Sequence, residues 1–236
     1  MNGPQRIEAA VALEPPDRVP LAPLLDYWAA TYTGISNAEL LCDSEKRFHA
    51  VMKTALDFSW DMTFLADTAN LTLLRVGVPA RLLIPGIDLP EASTHQFEEK
   101  GFMHDEDFDL LERDGFLALS STIMPRIYPD MTLESALIDI DRVTRETTDQ
   151  GAKLRDAGIE PAAGFVIPGT AFDYFCFARS INVALMDLRR RPDRIRAAAK
   201  RYCQDMLELA ISSVQLNGIK RVFIGLSRSS PVFVTA

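Results

Sequence analysis

Four short apolar runs, at residues 19–25, 62–66, 162–167 and 221–226, constrain this chain more than any other feature. Each is apolar on both faces, and helical patterns separate each from the next. A strand of that kind must be covered on both sides, the condition met by parallel sheets with helical crossovers. A doubly wound open sheet and a closed (β/α)8 TIM-type barrel both satisfy it. A full barrel takes eight such units, typically in about 250 residues, whereas the 236 residues here spend their length on four. The expectation is an α/β chain of the barrel type, incomplete, with about four parallel strands. It forms a single domain over residues 1–236 that is cut short at its C-terminal side, and its fourth strand is expected to present an open edge.

The intervening segments carry helix signals. Residues 4–14 read as a first helix, stopped by Pro15-Pro16. Ser36 with Glu39 three residues later is a capping box that opens a helix running towards Phe58. Leu133, Leu137, Ile140, Val143 and Thr147 recur every three or four residues along a long helix that Gly158 ends. Residues 172–181 read as helical, and Pro192 opens another helix that reaches Asn217-Gly218. Between them, residues 81–84 and 94–98 are expected to form a small strand pair, and residues 105–119 a helix.

Composition excludes several classes of function. A net charge of −8 disfavours nucleic acid and anionic membrane surfaces. No stretch approaches the roughly 20 apolar residues of a membrane span, and residues 1–6 lack the order of a signal peptide. Three cysteines, far apart and odd in number, argue against a disulfide framework. A cytoplasmic location follows as the expectation.

In parallel α/β folds chemistry gathers where strands end. Those ends deliver Asp26, Tyr27 and Trp28; then Asp67; then Thr170, Asp173 and Tyr174; then Ser227, Arg228 and Ser229. Asp67 directly follows an apolar strand, a position that suits a buried functional carboxylate and a helix N-cap equally. Tyr174 stands among Phe172, Phe175 and Phe177, a density typical of core packing. Arg228 is placed to clamp a carboxylate or phosphate, although a surface ion pair is the commoner role for such a residue. The arginine-rich run at 189–201 reads as a solvated helix face. His49, His95 and His104 do not pair with cysteines at zinc-like spacing, so no metal site is encoded.

Several of these segments together resemble the uroporphyrinogen decarboxylase superfamily. Arg6-Ile7-Glu8-Ala9-Ala10 followed by Pro16-Asp17-Arg18-Val19-Pro20 is similar to its first helix and the lead into its first strand. Phe64-Leu65-Ala66-Asp67 is similar to its second strand end, and Gly164-Phe165 with Pro168, Thr170 and Tyr174 to its third strand turn. Leu188 with Pro192-Asp193 is similar to the helix pair that follows. The resemblance spans essentially the whole chain but only the first half to two-thirds of a family member. It implies Asp67 and Tyr174 as catalytic residues, while the strand-end positions supply Asp26, Tyr27, Trp28, Thr170 and Arg228 as the expected substrate-binding residues. Their positions at strand ends are expected to put Asp67, Tyr174 and Arg228 on one rim, with Asp67 and Tyr174 facing a common cleft for a tetrapyrrole-sized ligand.

Decarboxylases of that superfamily grip substrate carboxylates with an arginine-rich stretch after the first strand. Residues 24–30 here read LLDYWAA, with no arginine. This favours the branch of corrinoid-linked methyltransferases, which move a methyl group from methylcobalamin to a zinc-activated thiol. The implied ligand is a tetrapyrrole or corrinoid, with a corrinoid protein or a second copy of the chain as partner. Zinc and corrinoid are the implied cofactors, and the zinc ligands of that branch lie in later strands. A genuine decarboxylase and a non-catalytic tetrapyrrole- or corrinoid-binding module stand as alternatives.

Overall fold

The computed structural model describes residues 1–24, 26–64 and 70–229. In chain order the first elements are α1 (Gly3–Val11), α2 (Trp28–Thr33), α3 (Asn37–Cys42), α4 (Ser44–Asp57), β1 (Met62–Thr63), α5 (Leu71–Gly77), β2 (Arg81–Leu83) and β3 (Gln96–Glu98). Next come α6 (Glu106–Asp114), α7 (Phe116–Ile127), α8 (Leu133–Asp156), β4 (Glu160–Pro161) and β5 (Phe165–Ile167). The series closes with α9 (Ala171–Arg179), α10 (Ile181–Arg190), α11 (Pro192–Asn217) and β6 (Val222–Ile224).

These elements correct the barrel expectation. Helices hold 59% of the described residues, and the strands are two or three residues long, in three separate two-stranded sheets. β1 runs parallel to β4 and β5 parallel to β6, but no ladder joins the two pairs among the described residues. The chemistry of the runs explains the difference. Pro20 and Pro23 lack the N–H donors that a ladder needs, so the described part of the first run forms no strand. What remains is its Leu21 carbonyl, which accepts from the Asp61 and Met62 amides at 2.8 and 3.2 Å. The third run is interrupted at Ala162–Gly164, so β4 and β5 take different partners. The expected small strand pair is present as β2 antiparallel to β3, with Leu82 opposite Phe97.

The chain divides into two compact units. The first comprises Met1–Leu74, Ile84–His95 and Ile140–Gly164. Asn2 caps α1 by accepting from the Gln5 amide, with the Gln5 side chain accepting from the Asn2 amide in return. Gly3 is required here: a Cβ on it would lie 2.3 Å from the Gly158 carbonyl oxygen and 2.6 Å from that of Asp61. The Ser36–Glu39 capping box opens α3, and Asp43 then caps α4 by accepting from the Glu45 and Lys46 amides. Leu40, Leu41, Ala55 and Leu154 are fully or almost fully buried and form much of this unit's apolar interior.

A buried carboxylate organises the start of this unit. Asp61, only 2% exposed, accepts from Arg6 Nη1 at 2.9 Å, from both terminal nitrogens of Arg18 at 2.6 and 3.0 Å, and from the Leu21 amide at 2.8 Å. Burial opposes its charge, but the Leu21 amide and the two guanidinium groups outweigh that and hold its carboxyl below the usual carboxylate range.

The second unit comprises Arg75–Leu83, Gln96–Asp139 and Phe165–Ala236. Its core joins α6, α7, α9 and α11 through Phe108, Leu111, Leu119, Ile123, Phe175 and Tyr202, with Phe108 edge-on to Phe175 at 5.1 Å. Arg179 is buried beside this core and is paid for in full: it donates to Asp187 at 2.7 Å, to Asp105 at 2.6 Å and to the Met103 carbonyl at 2.9 Å. α11 begins with Pro192 in its first turn and ends at Gly218, whose φ of 73° gives the left-handed cap expected after Asn217.

Candidate functional site

The second unit's parallel pair sets the frame. Phe165, Val166 and Ile167 lie opposite Val222, Phe223 and Ile224, so both strands point the same way and their following loops leave from one end. From β5 the chain runs through Pro168 and Gly169 to Thr170, the N-cap of α9. From β6 it runs to Ser227, Arg228 and Ser229.

Asp173 joins these two loops. It is completely buried in the first turn of α9. Its Oδ2 accepts from Thr170 Oγ1 at 2.6 Å, the Thr170 amide at 2.9 Å and Ser229 Oγ at 2.8 Å. Its Oδ1 accepts from the Ser229 amide at 3.1 Å, Ser227 Oγ at 3.2 Å and the Arg228 amide. The Thr170 and Ser229 hydroxyl oxygens lie 2.6 Å apart, so one hydroxyl can donate to the other in place of its own bond to Asp173 Oδ2. Burial pushes the Asp173 carboxyl up, yet Thr170, the Arg228 amide and Ser229 together hold it below its ordinary value. With its oxygens occupied, Asp173 positions the rim and is not free to relay protons.

Thr170 and Arg228 are thus brought together, as expected of neighbouring strand ends. The Arg228 guanidinium pairs with Glu99 and lies over the Phe177 ring, 5.4 Å from its centroid. Tyr174 goes elsewhere. It is 5% exposed, edge-on to Phe116 at 5.6 Å and tilted against Tyr202 at 5.2 Å. It also borders a small cleft lined by Gly77, Val78, Pro79, Pro168 and Phe177, with room for about one water molecule. A macrocycle does not fit in that cleft. Burial pushes the Tyr174 phenol well above its ordinary pKa, so it stays protonated at neutral pH. Removing only the hydroxyl, in Tyr174→Phe, is expected to cost no more than about 1.5 kcal/mol in urea denaturation. Truncation to alanine is expected to cost about 3 kcal/mol or more.

The remaining sequence candidates belong to the first unit. Asp26 is exposed, and Asp67 lies outside the described residues. Tyr27, 5% exposed, shares a 2.8 Å hydrogen bond with His95 Nδ1. Burial lowers the His95 pKa, so the pair joins a phenol to a neutral imidazole. Trp28 stacks on Tyr32 at 5.2 Å, and Phe58 meets both rings edge-on.

Sequence reasoning named Asp173 only as a strand-end residue and did not single out Glu99 or His95 for the site. Asp173 as the hub had a readable signal, since Thr170 followed three residues later by an acid is a capping pattern. Glu99 and His95 had none, because their partners lie 129 and 68 positions away. Among the described residues no three His, Cys, Asp or Glu side chains come together as a metal set. The zinc implied for the methyltransferase branch therefore has no ligand set among them. No described helix is long and apolar enough to cross a membrane. No family model, curated protein or solved structure matches the chain.

Proposed function

We propose that this chain is a ligand-binding enzyme domain of the cytoplasm that receives a tetrapyrrole or corrinoid-linked substrate. The reading follows its resemblance to the corrinoid-linked methyltransferase branch of the uroporphyrinogen decarboxylase superfamily. The observation that carries it is the rim of β5 and β6. Two parallel strands release their loops at one end, and those loops bring Thr170 and Arg228 together around Asp173. Ligands of parallel α/β units collect at such carboxyl ends, and an arginine backed by an aromatic ring suits the acidic or amide-bearing edge of a corrin or porphyrinogen. The absence of arginine from residues 24–30 weighs against decarboxylation of a polyanionic porphyrinogen.

The chain's own residues would bind and orient. Arg228 offers N–H donors to the ligand edge in exchange for Glu99, and Phe177 keeps the guanidinium in place. Corrinoid, when bound, supplies the methyl carrier. One observation favours the alternative of binding without turnover: Tyr174, the catalytic candidate of this unit, borders space for about one water.

Titration of the full chain with methylcobalamin, hydroxocobalamin and uroporphyrin, followed by absorbance, tests the proposal. Saturable corrinoid binding that Arg228→Ala weakens at least tenfold is the expected result. Methylation of an added thiol, assayed with zinc present, separates the methyltransferase from the non-catalytic module. Tighter binding of uroporphyrin, with loss of its acetate carboxyls as CO2 from the reduced form, would replace this reading with the decarboxylase. Absence of binding by all three compounds would refute it.

A further inference from the structure

Arginines withdrawn from solvent in the second unit have acceptors, with one exception. Arg126 donates to Asp107 and the Phe102 carbonyl, Arg179 to Asp187, Asp105 and the Met103 carbonyl, and Arg201 to Asp205. Arg75, in the last turn of α5, is half-buried and makes no hydrogen bond or ion pair among the described residues. Its Nε is closed to water and has no acceptor.

The guanidinium is nonetheless held in place. Its central carbon lies 5.4 Å from the centroid of the Tyr128 ring. That ring is fixed at its far end, where the Tyr128 hydroxyl accepts from the Leu82 amide at 2.9 Å and donates to the Ala80 carbonyl at 3.2 Å. A ring face attracts a cation, and the carbonyls at the end of a helix add to that attraction. Neither provides an oxygen for Nε–H, so that donor is held in position with its hydrogen bond unmade. A withdrawn polar group without a partner is destabilising, and an oxyanion that accepts from it relieves that cost.

We infer that Arg75, laid on Tyr128, is a clamp for the carboxylate of an organic ligand. One guanidinium offers two parallel N–H bonds and one positive charge, which matches the two oxygens and single negative charge of a carboxylate. Benzoate, a carboxylate on a flat apolar body, is a suitable probe. The inference is independent of the tetrapyrrole reading, because it specifies the anion and not the rest of the ligand.

The test uses the full chain labelled with 15N-arginine. Nε–H resonances are followed during titration with sodium benzoate, sodium phosphate or sodium chloride at matched ionic strength, and Arg75→Gln identifies the Arg75 signal. The expected result is a saturating shift of that signal with benzoate and none with chloride. Benzoate should also raise the Tm of the wild type but not that of Arg75→Gln. Arg75→Lys keeps the charge on Tyr128 and loses the fork, so it should bind benzoate at least tenfold more weakly. An Arg75 signal that follows chloride alone, or equal Tm shifts in all three proteins, would leave Arg75 as a structural cation on a ring and overturn the inference. Saturation by phosphate below the benzoate range would overturn the carboxylate assignment.

Discussion

Replacing Asp173 with alanine is expected to destabilise the second unit by about 3–5 kcal/mol, the range found when one partner of a buried charged network is removed. The carboxylate accepts from two side-chain hydroxyls on the loop after β6, from two amides of that loop, and from the Thr170 amide and hydroxyl. Alanine leaves all of these donors facing a dry gap. Asp173→Asn separates shape from charge: it keeps the volume but places an NH2 against groups that are already donors, so it should recover only a minority of the loss. Urea denaturation of the three proteins measures this, with hydrogen exchange of the Arg228 and Ser229 amides as the local readout. Because its folded pKa lies below its unfolded value, the Asp173 contribution is complete above the ordinary carboxylate range. It is lost as pH falls from there through the folded pKa. The wild-type advantage over Asp173→Asn should therefore shrink on acidification below about pH 4. A cost under 1 kcal/mol at pH 7 would show that water replaces these bonds at no penalty.

Asp61→Ala is expected to be the comparable lesion of the first unit, with a cost of about 3 kcal/mol. Arg6 retains Asp17, at 2.6 Å through its Nε, but Arg18 keeps only the carbonyls of Val19 and Ser59. The Leu21 amide also loses its acceptor, which leaves residues 19–24 tied to the start of β1 through the Leu21 carbonyl alone. The sign of the pH dependence is the same as for Asp173, since this carboxyl too is held below its usual range. The double variant Arg18→Ala with Asp61→Ala discriminates the mechanism. If the loss arises mainly from an uncompensated Arg18, the double variant should be less destabilised than the sum of its parts, as guanidine titrations of the four proteins would reveal.

What the sequence disclosed was local. The Ser36–Glu39 box, the helix opened by Pro192 and the αL cap at Gly218 depend on residues within four positions of one another, and each stands where its pattern places it. One parallel pairing, β5 with β6, falls on two of the apolar runs, whereas β4 lies at Glu160–Pro161, ahead of the run at 162–167, and the exposed Val222 and Ile224 show that β6 is not covered on both faces. How far the pairings extend was not legible. A run of six apolar residues is long enough to suggest a strand, but whether it is used whole depends on partners supplied 60 to 100 positions away. Gly164 and the prolines of the first run were the signs that the ladders would be short. The site divides in the same way. Thr170, Asp173 and Arg228 were visible as strand ends, while the capping pattern that joins Thr170 to Asp173 was present but not read. The Arg228–Glu99 pair, the Tyr27–His95 bond and the unmatched charge of Arg75 arise from tertiary packing, which leaves no local pattern.

The interleaving of the two units sets the order in which they can be made. The chain passes between them at five points, and the first unit draws on residues as distant as Met1 and Gly164. β1 has to wait for β4, about 100 residues later, before a ladder bond between them can form, and the loop so closed carries a logarithmic entropy cost. A ribosome emitting this chain from its N-terminus would therefore release α1 to α4 well before their sheet partner, and neither unit is a consecutive stretch that could fold and be set aside while the other is synthesised. Helices formed early must hold their apolar faces until residues beyond 160 emerge, which makes this a chain for which the pace of translation bears directly on yield.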